Sequence, residues 1–208
     1  MKNIKIYKNI TFQIGIGLIF VFNCSALNQR NQIKRTFALT AVSAGPVSLG
    51  LNWNVFLATL DSFHWTAVYN DEQKGLNIWN GSELLLFVGD KNYPQKPQQI
   101  RRIIIYSPEF RTYESIGVGT SVMEIAEKFP AEELYTSQLS PGIEYFAPQA
   151  YQRCNMTEQS VFLLWVKSPV QIGADFRSAR HACGESFSTK SFARYGYTSQ
   201  IEIFDPRN

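Results

Sequence analysis

The chain has 208 residues, of which 45% are hydrophobic and 18% charged, and a formal net charge of +3. That balance excludes disorder for the bulk of the chain. Setting aside Lys2, Lys5 and Lys8 leaves a nearly neutral remainder, so no nucleic-acid or polybasic membrane footprint survives.

The first element is an export signal. Lys2, Lys5 and Lys8 form a basic start, residues 10–22 an almost uncharged apolar stretch, and Cys24, Ser25 and Ala26 follow with small side chains. The apolar run is only about 13 residues, short of the roughly 20 that span a bilayer as a helix, so a cleaved leader over residues 1–23 is expected. The residues Val21-Phe22-Asn23-Cys24 resemble a bacterial lipoprotein box, in which the cysteine is lipidated and becomes the mature N-terminus. That resemblance implies an anchor at Cys24 in a bacterial envelope, in the outer membrane. In the competing reading an ordinary signal peptidase uses Cys24 and Ala26 as its small pair and cuts before Leu27, which gives simple secretion.

Cysteine arithmetic bears on the choice. Three cysteines leave one unpaired in an exported chain, whereas assigning Cys24 to lipid leaves Cys154 and Cys183 to form a disulfide. Such a bridge closes a loop of about 30 residues and is worth roughly 3–4 kcal/mol. Residues 24–44 then read as the lipidated N-terminus and tether, with residues 28–35 polar. After the leader about 180 residues remain, enough for one ordinary domain or two small ones sharing a core.

From residue 45 the chain echoes itself. Val47-Ser48-Leu49-Gly50 is matched by Ile116-Gly117-Val118-Gly119, and the helix caps Asn52 and Ser121 lie at the same shift. Trp53, Phe56, Leu57 and Leu60 stand against Val122, Ile125, Ala126 and Phe129, each set at i, i+3, i+4, i+7, the apolar stripe of a short helix on a core. Ser121 with Glu124 fits a capping box, and Pro130 stops the second helix.

Strands follow each predicted helix. Gly75 to Trp79 matches Gly142 to Phe146, and the run ending Ser107-Pro108 matches that ending Ser168-Pro169. Leu84 to Val88 supplies a further strand after a tight Asn80-Gly81 turn. The alternating Ile201-Glu202-Ile203-Phe204 closes the sheet as a last strand. Val170 to Gly173, with Phe176 and Ala179, is a weaker third echo of the helix. The fold class is therefore α+β, a tandem repeat of a short helix packed on antiparallel sheet, with copies at 45–110 and 111–208, the second carrying a C-terminal extension.

Gly117-Val118-Gly119-Thr120-Ser121-Val122-Met123-Glu124 and the strands after it resemble the tandem repeats of beta-lactamase inhibitory protein and of the small outer-membrane assembly lipoproteins of the SmpA/OmlA kind. The likeness spans about residues 45–169, and the first copy departs from the pattern at Leu51 and Asn54. It implies a non-enzymatic module that binds a protein through the free face of its sheet.

Catalytic groups are sparse. His64 and His181 lie in different units, with no carboxylate or thiolate at ligand spacing, so neither a metal nor a cofactor is called for. His181 beside Cys183 resembles a base next to a nucleophile, but a paired cysteine is the plainer reading. The glycines of residues 115–120 lack the Gly-Lys-Thr ending of a phosphate loop. Asp71-Glu72 and Glu132-Glu133 read as solvated connections rather than acid–base pairs. Arg177, Arg180, Lys190 and Arg194, interleaved with Phe176, Phe187, Phe192, Tyr195 and Tyr197, form a candidate interface. Two functions stay open: a lipid-anchored envelope protein that binds a protein partner for assembly or surface contact, or a secreted hydrolase whose site is not recognisable.

Overall fold

A computed structural model describes residues 36–90, 98–136, 143–154, 159–181 and 184–207. Cys24 and Cys183, and with them the lipidation site and one end of the expected disulfide, lie outside the described residues.

In chain order the elements are β1 (Phe37–Ala38), β2 (Ser43–Ala44), β3 (Val47–Ser48), α1 (Trp53–Phe63), β4 (Thr66–Asn70), β5 (Gly75–Asn80), β6 (Glu83–Gly89), β7 (Arg102–Ile105) and β8 (Phe110–Arg111). After these come α2 (Val122–Lys128), β9 (Leu134–Thr136), β10 (Glu144–Phe146), a 3₁₀ turn (Gln149–Tyr151), β11 (Arg153–Cys154), β12 (Gln159–Lys167), β13 (Arg177–His181), β14 (Gly184–Thr189) and β15 (Tyr197–Phe204). The class is α+β, mostly antiparallel sheet with two short helices.

Both helices begin where side chains satisfy their first backbone N–H groups. The Asn52 side-chain oxygen accepts from the Asn54 N–H at 2.9 Å. Ser121 and Glu124 bond reciprocally in a capping box, at 3.2 Å and 2.9 Å. The first helix ends at His64, whose left-handed backbone turns its N–H back onto Asp61 and Leu60. The second ends at Phe129, one residue before Pro130. Trp53, Phe56 and Leu60 are buried in one helix and Val122, Ile125 and Ala126 in the other. Leu57 departs from the sequence expectation and is 43% exposed, because core contact takes only the side of α1 carrying Trp53, Phe56 and Leu60.

The strands pair antiparallel in the order β13-β14-β9-β10-β12-β15-β7-β6-β5-β4, with β11 attached to β12. Gly81, with φ at 58°, opens the two-residue turn between the paired Asn80 and Glu83, a conformation that glycine adopts without Cβ strain. Alternation then divides the sheet's side chains between two faces. Leu134, Phe146, Leu164, Ile201, Ile105, Leu86 and Ile78 form one transverse row across seven strands. They share a single core with the buried stripes of both helices. On the other face a smaller cluster of Tyr135, Tyr145, Ala147, Val161 and Leu163 contains no helix residue.

One expectation needs correction. Residues 170–173 form no helix: Ile172 and Gly173 donate to the Glu144 carboxylate, Gly173 bridges Phe192, and Ala179 lies in β13. The carboxylate supplies the acceptors that a helical turn would otherwise have provided. The expected last strand is present as β15, and it lies between β12 and β7.

Candidate binding face

The groups that sequence reading singled out are dispersed. His64 precedes β4 and His181 ends β13, the two terminal strands of the sheet order, so the two residues lie in the chain at opposite edges of the sheet. Asp71 is held by Lys74 at 2.7 Å and by the Tyr69 hydroxyl at 3.1 Å. Glu132 accepts from the Gln149 N–H at 2.6 Å, and burial pushes its carboxyl above the usual range against that bond. Glu133 accepts from the Ser188 hydroxyl at 2.5 Å and faces Lys190 at 3.7 Å. Asp71, Glu132 and Glu133 thus each have a structural partner of their own rather than the other member of their sequence pair. Among the described residues, no three His, Cys, Asp or Glu side chains gather as a metal site.

The glycine-rich lead-in to α2 is a scaffold. A Cβ on Gly117 would meet the Phe110 carbonyl oxygen at 2.4 Å, so only glycine allows the two backbones to approach this closely. Arg111 fills the loop from within, donating to the carbonyls of Pro108, Ser115 and Val118 and to the Thr120 hydroxyl. A guanidinium spent on four oxygens of its own loop leaves that loop occupied by structure.

The C-terminal basic and aromatic residues divide. Phe192 packs edge-on against Phe146 at 5.3 Å, and Phe176 packs against the main core, so both act as structure. Arg177 and Lys190 meet at a groove of about 520 Å³ that also involves Glu133, Asp175, Ser188 and Thr189. Tyr195 and Tyr197 remain exposed on the loop before β15 and at its start.

A more organised constellation occupies the face opposite the helices. Tyr135 stacks on Tyr145 at 5.7 Å, and Tyr145 meets Trp165 at 5.1 Å, each across a strand pair. Burial, with Glu133 and Glu132 nearby, pushes the Tyr135 phenol up to about 12. The Trp165 indole donates to Glu202 at 3.0 Å, and the second oxygen of Glu202 accepts from Arg102 Nε at 2.7 Å. Beside this pair, Asp205 accepts from Arg101 at 2.7 Å and from the Arg207 guanidinium at 2.9 Å through both carboxylate oxygens. The bonds from Arg207 hold the Asp205 carboxyl below the ordinary carboxylate range, against the opposing effect of burial.

These groups border a groove of about 390 Å³ lined by Gln73, Lys74, Gly89, Asp90, Arg102, Glu202, Phe204 and Asp205. The carboxylates are nearly buried while their arginines remain a third to a half exposed, so the cationic edges point outward. Trp165 and Phe204 are half-buried beside them. Chemically this is a preorganised ionic and aromatic surface that can accept hydrogen-bond acceptors and flat apolar groups.

Sequence reasoning did not single out Arg101, Arg102, Trp165, Glu202, Asp205 or Arg207. The local signal was slight: an Arg-Arg pair before an isoleucine run, and one glutamate between two isoleucines of the last strand. No family model matches the chain, and neither curated proteins nor solved structures give a significant match.

Proposed function

We propose that this chain is a lipid-anchored bacterial envelope protein that binds a protein partner without turning it over, using the Arg102–Glu202–Trp165 surface and its groove. The observation that carries the reading is that buried carboxylates fix half-buried arginines beside half-buried Trp165 and Phe204, in hydrogen bonds of 2.7–3.0 Å. Arginine and tryptophan are the residue types that carry most binding energy at interfaces, and fixing them before contact reduces the entropy lost on association. The basic start, the apolar run and Cys24 support the envelope location and the anchor.

The tandem repeat belongs to the same proposal. Its support is that α1 is followed by strands adjacent in the order β4-β5-β6-β7 and α2 by β9-β10-β12-β15, the two series meeting at β7 and β15. On this count β7 corresponds to β15, whereas the Ser-Pro echo in sequence aligned it with β12. The pairing of Cys154 with Cys183 is likewise proposed, from the odd cysteine number in an exported chain.

Capture from envelope extracts by the mature protein tests the function. Arg102→Ala and Trp165→Ala should each weaken capture by roughly 30-fold or more, which corresponds to about 2 kcal/mol, in protein that still unfolds cooperatively. Unaltered capture in both variants would remove the surface from consideration, and substrate turnover abolished by one polar substitution would establish the hydrolase instead. Cys24→Ser should abolish fatty-acid labelling, and the native mature protein should show no free thiol.

A further inference from the structure

The two outermost strands of the sheet end it in different ways. At one end β13 carries Arg177, Arg180 and His181, bases of the kind that discourage a further strand from pairing there. At the other end β4 is Thr66-Ala67-Val68-Tyr69-Asn70, with no charge, no proline and no glycine. Its one strand neighbour among the described residues is β5, in a continuous antiparallel register that pairs Thr66 with Trp79 and Asn70 with Gly75. No bulge twists this edge away.

Both faces of β4 are open as well. Val68 lies opposite Asn77 on the side away from the helices and is 55% exposed, while Tyr69 lies opposite Leu76 on the helix side and is 43% exposed. Thr66 and Ala67 are also exposed. A strand open on both faces, rich in β-branched and aromatic residues and unguarded by charge, offers its backbone edge to another strand. Composition points to which strand. Antiparallel self-pairing with full overlap places a two-fold axis at the middle residue, so Val68 faces Val68 of a second copy, Ala67 faces Tyr69 and Thr66 faces Asn70. Every opposed pair is uncharged, and the one large ring meets the smallest side chain. The same operation on β13 would gather the arginines of both copies along one seam, where like charges repel.

From these observations we infer that β4 is a homodimer seam: the β4 strands of two copies pair antiparallel about an axis at Val68 and join both sheets into one. The axis runs normal to the sheet, so corresponding faces fall on the same side. Counted strand by strand, the two β7 strands lie about 34 Å apart along the joined sheet. The dimer therefore presents the Arg102 surface twice, and a partner with two matching epitopes is held by both. The pairing itself does not depend on that surface, since no residue of β4 lines its groove.

Sedimentation equilibrium of the full mature chain carrying Cys24→Ser, which removes both acyl clustering and the odd thiol, tests the seam. The mass should rise from one copy to two with concentration. Val68→Lys, at a half-exposed position, should weaken dimerisation at least about tenfold in protein that still unfolds cooperatively, because it opposes like charges across the axis. Val68→Asp should do the same. Mixing these two variants should restore the dimer, because position 68 then faces its opposite charge. Ser178→Lys in β13 should leave dimerisation unaltered. A parent chain that stays monomeric into the millimolar range, a Val68→Lys variant that dimerises like its parent, a mixture no tighter than its components, or a dimer lost through Ser178→Lys overturns the inference. Partner capture is read separately, through Arg102→Ala and Trp165→Ala, so either conclusion can fail without the other.

Discussion

The two faces of the sheet use the same strands for opposite purposes. Leu164, on the helix side, enters a core of isoleucines and phenylalanines and is wholly buried, while its neighbour Trp165 turns its indole to a carboxylate bridged to an arginine. Ile201 and Ile203 are likewise fully buried on either side of Glu202. One face gains its stability from apolar area removed from water, at about 25 cal/mol per Å². The other spends burial on paired charges, which contribute little net stability but hold groups in fixed positions. Stability and recognition are thus segregated by the period of two, and a substitution's effect should depend first on which face it touches.

The severest way to break the helix side is Ile125→Asp. Ile125 is fully buried, so an unpaired carboxylate there should cost several kcal/mol and abolish cooperative thermal unfolding; a normal melting curve would contradict the assignment. Next comes the polar exception on that side. Glu144, 4% exposed, accepts from the N–H groups of Ile172 and Gly173, and Glu144→Ala leaves both without their acceptor. A loss of about 2–4 kcal/mol in denaturant unfolding is expected.

Just past the end of β15, Asp205→Asn should cost about 1–2 kcal/mol at neutral pH, since one neutral amide cannot serve both arginines as acceptor. Because the folded carboxyl titrates below its ordinary value, this stability is present above the unfolded pKa and is lost as pH falls through the folded one. The difference between variant and parent should therefore be constant near neutrality and shrink below about pH 4, in melting measured against pH. The smallest effect sharpens the boundary of the core within one helix. Leu57→Ala should change stability by less than about 0.5 kcal/mol, whereas the adjacent Phe56→Ala should cost about 3–5 kcal/mol.

Much of the helix side was legible in the residue order, because caps and stripes are local. Asn52, Ser121 with Glu124, and Pro130 bound the helices where their chemistry requires, and the glycine turn after Asn80 sets the β5–β6 hairpin. The failures were local patterns overruled from afar. Residues 170–173 resemble a helix start, but a carboxylate distant in sequence claims their N–H groups. The binding face was nearly invisible for the same reason. Arg101 meets Asp205 across 104 positions and Arg102 meets Glu202 across 100, and no spacing rule reaches that far. Only the register of β7 against β15 brings them together.

That register also sets an order of events for a chain made from its N-terminus. Because β15 lies between β12 and β7, both neighbours present unsatisfied backbone edges until Tyr197–Phe204 emerges. Until then the molecule is two separate half-sheets, each a template for unwanted pairing with other chains. The final strand acts as a keystone, and a molecule that loses its last dozen residues forfeits the seam joining its halves rather than a dispensable tail.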